Sequence, residues 1–319
     1  MIKKNLLGST GIEVSNIALG GHEYLPNGRS RGFNEEFSLA VTPGYIGLGY
    51  GGKGRKELLA TAFDLGINFF DVTIDSEKDA LGRNLLELSP PHEIYIQTRP
   101  EGMCYSYDTN NQKLLNPQLL KVEVERILKL LKRDWIDFFN VGLLAWSIDS
   151  NNDYLEILSD NLNNLKKDGL IRFTVADSFS GERLYLQMLN SGAFDVVNID
   201  LNLGDACGID KVLPLARQRK CGVIAREAFF KGELFSIGKK NGIDDFSCLA
   251  RAAMKWVCAQ HPDTIIVGVD TVSQLIANVE SANKPVSIQE SEILEKLLST
   301  QEFLDYSTMK RNEFYEIPK

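Results

Sequence analysis

Short runs of β-branched and aromatic residues alternate along this chain with longer stretches in which apolar positions recur every three or four residues. The runs predict strands over 16–20, 68–73, 93–98, 136–141, 171–176, 194–201, 222–226 and 264–269. The stretches between them predict helices near 54–65, 77–88, 117–132, 153–167, 181–190, 209–219, 246–260 and 272–281, several ending at a glycine such as Gly66, Gly169 or Gly192. Each predicted strand is followed by one helix. Runs such as Phe194-Asp-Val-Val-Asn-Ile are nearly continuous in apolar character, as parallel strands covered on both faces are. Eight such units in about 250 residues predict an α/β fold of the (β/α)8 TIM-barrel kind, ahead of a doubly wound open sheet.

Two regions stand outside this alternation. Around Ser9-Thr10-Gly11 two short strands predict a hairpin able to plug the bottom of the barrel. From Ser287 onward, residues 287–319 predict a pair of amphipathic helices packed on the outside or over the mouth. No linker, repeat or low-complexity segment interrupts the chain, so residues 1–319 are expected to form one domain. The loop after the first barrel strand, 21–54, is by far the longest. Its glycines 44, 47, 49, 51, 52 and 54 suit a hinged lid.

Composition narrows the partners. With 44% hydrophobic and 24% charged residues over 319 positions the chain can bury a sizeable core. Acidic residues outnumber basic ones 43 to 35, for a net charge of −8, and no basic block exceeds a pair such as Lys166-Lys167, which argues against nucleic acid. Five scattered cysteines without a C-x-x-C, three dispersed histidines, no apolar leader and no run of about 18 apolar residues predict a cytoplasmic protein without disulfides, metal or membrane span.

In a barrel of this kind, chemistry sits where strands end at their C-terminal side. The residues there are Gly20-Gly21-His22, Asp71-Val72-Thr73, Thr98-Arg99, Val141-Gly142, Ala176-Asp177, Asp200 to Asn202, Arg226-Glu227 and Gly268 to Asp270. They make an unusually polar ring.

Several segments, in order, resemble the aldo-keto reductases over most of the chain: LLGSTGIEVSNIALGG, AFDLGINFFD, DALGRNL, DWIDFF, KKDGLIRFTVADS, FDVVNIDLNL, CGVIAREAFFKGEL and LARAAMKWVCAQHPDTIIVGVDTVSQLIANVES. The resemblance implies the same barrel, a nicotinamide dinucleotide across its mouth, and a Tyr, Lys, His and Asp set for carbonyl reduction. Within that pattern Asp71 is kept, but Ser76 stands for the tyrosine, Arg99 for the lysine and Gly142 for the histidine. At the cofactor positions it implies Gly268, Asp270, Gln274 and Asn278. Asp270 falls where a basic group would neutralise a 2′-phosphate, so NADH is preferred to NADPH if any dinucleotide binds.

A serine hydroxyl is too weak an acid to replace a phenol, and an arginine stays protonated. The charged mouth therefore first suggests hydride-free acid/base chemistry of the dehydratase, isomerase or epimerase type on a small polar or anionic molecule, with no cofactor preferred. Asp71, Arg99, Asp177 and Glu227 are the catalytic candidates, Glu227 foremost as acid or base and Arg99 with Arg226 as an anion clamp. His22, Tyr24, Asn140, Asn198, Asp200 and Arg226 are the candidate substrate contacts. Asp71 and Arg99 suit an ion pair. Two alternatives stay open: a nicotinamide-linked oxidoreductase whose proton comes from Arg99 or a lid residue such as Tyr24 or Tyr45, and a non-catalytic binding or regulatory barrel.

Overall fold

The computed structural model describes residues 2–21, 42–104 and 108–316. His22 and Tyr24, together with the first half of the 21–54 loop, lie outside the described residues. A hairpin of β1 (Lys4–Leu6) and β2 (Glu13–Ser15) precedes eight parallel strands, β3 (Ile17–Gly20), β4 (Phe69–Asp71), β5 (Tyr95–Thr98), β6 (Ile136–Leu143), β7 (Ile171–Ser178), β8 (Val196–Asp200), β9 (Gly222–Arg226) and β10 (Thr264–Val267). They close as a barrel in chain order, with β10 against β3. This is the expected (β/α)8 barrel.

Alternation along each strand builds two cores. Residues such as Leu19, Phe70, Ile96, Phe139, Ala176, Val197 and Ala225 face outward and pack under the helices. Their neighbours Ala18, Phe69, Tyr95, Phe138, Val175, Val196 and Ile224 fill the barrel interior. The hairpin closes this inner core from below, since Leu7, Ile12 and Val14 belong to it. At Gly8 the backbone has φ +53° and an added Cβ would lie 2.2 Å from the Gly222 nitrogen, so only glycine lets the hairpin seat against β9.

The helices, among them Lys53–Asp64, Pro117–Leu131 and Val272–Ser281, follow the predicted boundaries within a few residues. Asn116 caps the second through the Gln118 and Leu119 amides, with Pro117 at its first turn. The one-helix-per-strand reading is too simple: Ala145–Asp149 and Glu233–Lys240 are additional helices. Both are short, at five and eight residues, and lie between a strand and the longer helix that follows it.

The tail forms the two expected helices. Ile288–Leu298 lies on Phe246–Cys258 through a buried Lys255–Glu290 pair at 2.7 Å. Gln301–Phe314 reaches the other end of the barrel, where Tyr306 stacks on Phe230 with centroids 5.0 Å apart and Phe314 packs on Tyr185. No helix among the described residues is long and apolar enough to cross a membrane.

Phe138 is the hub of the inner core, 5.2 Å from Phe69 and 5.3 Å from Phe173 between ring centroids. Phe138→Ala is expected to cost about 3–5 kcal/mol. Urea unfolding checks this: the midpoint should fall while the slope stays unchanged.

Candidate active site

One step above the aromatic layer, the same alternation turns polar side chains inward. Asp71 follows Phe69 by two residues on β4, Gln97 follows Tyr95 on β5, Asn140 follows Phe138 on β6, Asp177 follows Val175 on β7, Asn198 follows Val196 on β8, and Arg226 follows Ile224 on β9. The interior thus changes from hydrocarbon to a polar ring within one strand repeat. Gln97, Asn140, Asp177 and Asn198 are buried, while Asp71 keeps part of its surface open.

The ring is tied by hydrogen bonds. Gln97 Nε2 donates to Asp71 Oδ1 at 2.8 Å. Asn140 Nδ2 donates to Asp177 Oδ2 at 3.2 Å, and Arg226 Nη1 donates to that same oxygen at 2.7 Å. Arg226 Nε bonds Asp200, and its guanidinium lies 5.1 Å from the Phe179 ring centroid. Four oxygens in this ring are buried and accept no hydrogen bond: Gln97 Oε1, Asn140 Oδ1, Asp177 Oδ1 and Asn198 Oδ1.

Burial sets the acidities. It pushes the Asp71 carboxyl from its usual value up to about 6, against the Gln97 hydrogen bond and the nearby Arg99 charge, with Glu77 adding to the rise. Burial raises Asp177 too, against Arg226 and Arg99. At Asp200 burial is opposed by Arg226 and Lys231, and these cations win, holding that carboxyl low.

Other candidates are placed differently. The expected Asp71–Arg99 ion pair does not form: Arg99 Nε bonds Glu101 at 2.7 Å and Gln97 takes the Asp71 oxygen. The buried Glu101 sits two residues from Arg99 and reaches it without crossing the barrel. Glu227 has φ +61° and pairs with Lys231 at 2.8 Å; burial and then Asp200 raise its carboxyl. It belongs with a group beside the mouth that includes Asp205, pushed up to about 7 by burial and by Asp200, and Lys310 of the last helix, 3.8 Å from Asp205.

Ser76 is fully buried, accepting from the Gly47 amide at 2.8 Å and donating to the Tyr45 carbonyl at 3.1 Å. Its hydroxyl fastens the loop rather than facing the ring. Next to it Asp75 holds the fully buried Lys78 at 3.0 Å and Arg126 at 2.8 Å, and takes the Gly44 amide. The sequence reading missed this ion network. Its one signal is the D-x-x-K spacing at the start of Asp75–Leu88; the third partner is 51 residues away.

At the proposed nucleotide positions, Gly268 and Asp270 are exposed and Asn278 is buried. Gln274 Oε1 accepts from the Asp270 amide at 2.7 Å within a capping box completed by Thr271. Among the described residues no group of histidines, cysteines and carboxylates suits a metal ion. Clefts lined by His261 and Asp263 lie at the hairpin end, opposite the polar ring.

No protein-family profile and no curated protein matches this sequence. Solved structures do. The chain is similar to an aldo-keto reductase from Bacillus halodurans in its holo form, at 17% identity and a TM-score of 0.64, covering 93% of this chain and 96% of that one. It is similar to a glycerol dehydrogenase from Gluconobacter oxydans at 16% identity and a TM-score of 0.66, covering 93% and 95%. The fold is therefore that of the aldo-keto reductases.

The Asp71 shift has a consequence for stability. The folded chain keeps a proton that the unfolded chain releases, so the cost of the buried charge is absent below about pH 4, grows to about pH 6 and is full above it. Asp71→Asn should stabilise the protein by about 2–3 kcal/mol at pH 7.5 and by almost nothing at pH 4. Urea titrations at both pH values check this; a variant weaker at both would mean that the Gln97 bond to the carboxylate outweighs desolvation.

Proposed function

We propose that this barrel is an oxidoreductase of the aldo-keto reductase type, NADH-linked, that interconverts a small carbonyl compound and its alcohol, with Asp71 as the proton-transferring group. The observation that carries this reading is the Asp71 carboxyl: inward-facing, partly open, and held near pH 6 by burial. A general acid works best when its pKa lies near the operating pH, and a carboxyl raised in this way can take the place of the absent phenol. The similarity to an aldo-keto reductase and to a glycerol dehydrogenase favours redox chemistry over the hydride-free readings.

The residues present fit a nicotinamide ring's amide. Asp177 and Asn198 are register partners on neighbouring strands, and each turns a buried, unpartnered oxygen inward. Together they would accept the two N–H bonds of a carboxamide. When bound, the nicotinamide supplies or takes the hydride. Gln97 fixes Asp71 Oδ1, which leaves Oδ2 to give a proton to the developing alkoxide or to take one from the alcohol. Arg226, braced between Asp177 and Asp200, keeps the Asp177 oxygens aimed. The aromatic floor below keeps bulk water from entering beneath the ring. The exposed Asp270 would repel a 2′-phosphate, so NADH is the preferred partner.

The hydride-free reading keeps one observation in its favour: the Gln274 amide, placed by the family pattern near the nucleotide, is engaged in the helix cap. Titration decides between them. NADH should bind in the micromolar range and more tightly than NADPH. Asp71→Asn should lower kcat by about 100-fold or more, with the NADH Kd changed by less than about threefold. Carbonyl reduction should fall as pH rises through about 6, where Asp71 loses its proton, and alcohol oxidation should rise over the same interval. Absence of binding by either nucleotide would overturn the redox reading and direct the search to dehydration and isomerisation.

A further inference from the structure

A second concavity lies at the other end of the barrel from the polar ring. Where the start of β9 meets the hairpin, a cleft of about 390 Å³ opens between three segments of the chain, the hairpin at 6–9, the helix end and strand start at 217–223, and the turn at 261–263. Small-molecule sites typically measure about 300–1,000 Å³. Barrels of this kind carry their chemistry at the opposite face, so a ligand here is bound rather than converted.

The walls are fastened to one another. Asp263 Oδ2 accepts from the Gly8 amide at 3.2 Å and from the Val223 amide at 2.9 Å, so one oxygen pins all three segments. The Ser9 amide donates to the Lys220 carbonyl at 2.9 Å, and Arg217 Nη2 donates to the Gln260 carbonyl at 2.8 Å. A cavity held in this way has little left to order when a ligand enters.

The lining divides by chemistry. Leu6, Cys221 and Val223 supply an apolar side, and Leu6 is still 54% exposed, which leaves hydrocarbon for a ligand to cover. Cys221 adds no charge, because burial and then Asp195 push its thiol up to about 11, against Arg219. Arg217 and Lys220 supply the other side, both exposed and neither in an ion pair among the described residues. Asp263, the carboxylate of this lining, balances at most one of them, and its Oδ2 is taken by the two amides. An apolar wall beside two cations is complementary to an anion with an apolar body.

We propose that this cleft is a binding site for a small amphiphilic carboxylate, its anionic head between Arg217 and Lys220 and its hydrocarbon body over Leu6, Cys221 and Val223. The bound acid bridges the hairpin and the start of β9, and so braces the plug beneath the inner core to which Leu7 belongs. The site stands apart from the redox reading, since none of its residues belongs to the mouth.

Amide chemical-shift titration of the full chain tests this with three probes: 3-phenylpropionate, the uncharged 3-phenylpropan-1-ol, and succinate, which has charge without an apolar body. 3-Phenylpropionate should shift the Leu6, Ser9 and Val223 amides saturably and bind at least about tenfold more tightly than either of the others, with or without NADH. Arg217→Gln combined with Lys220→Gln should abolish that preference over the alcohol, and Leu6→Asn should reduce the preference over succinate. Equal binding of the alcohol, equal binding of succinate as expected of a solvated basic patch, shifts confined to mouth residues such as Asp177, or no saturable shift with any probe would overturn the proposal. The probe series on the unaltered chain decides even if a variant does not fold.

Discussion

Phe138 and the rings around it make a polar site possible at the top of this barrel. Carboxylates inside a barrel are costly unless each is hydrogen-bonded, and the bonds hold only if water does not compete from below. Phe69, Tyr95, Phe138 and Phe173, with the hairpin residues Leu7, Ile12 and Val14 beneath them, supply that dry support. Above them, Gln97 and Asn140 each stabilise one carboxylate, and Arg226 links that same Asp177 oxygen to Asp200. The apolar floor also raises Asp71, because the same exclusion of water that strengthens its bond to Gln97 disfavours its charge.

The Asp71 carboxyl at the end of β4 and the Ser76 hydroxyl at the start of the helix that follows are held in different ways. In the family pattern the position of Ser76 would carry the reactive phenol. Here it is sealed under the 44–47 segment, and Asp75 beside it is held at about 2, with Lys78 and Arg126 outweighing its burial. That corner has become a fastening. Asp71 is presented from the strand, between Gly20 and Gln97 on its two neighbours, with the Gln97 amide on its Oδ1.

The strands, most helices and the inward polar ring were legible from residue pattern, because alternation with a period of two decides which side chains face the axis regardless of their chemistry. Asn140 and Asn198 could be placed that way without knowing their partners. The pairings were less legible. Arg99 chose Glu101 over Asp71, and Glu227 swung to Lys231, because ion pairs depend on rotamers and backbone turns of an ångström or two that no periodicity encodes. The buried Lys78 was missed because a lysine near a helix start reads as solvent-facing until its partner from the following helix is known. Gln274 was read for a ligand when its spacing from Thr271 also satisfies a helix cap.

The last helix also fixes an order of events. Asp200, Asp205 and Glu227 converge beside the mouth, and the cation that joins them from the far end of the chain is Lys310. During synthesis those three acids are present for the whole interval before Lys310 is made. The barrel's strands are complete in sequence by Val267, yet Asp205 meets its cation only in the Gln301–Phe314 helix. Arg226 and Lys231 stand against Asp200 and Glu227 from within the rim itself, so what the chain's final helix adds is the counter-ion of Asp205.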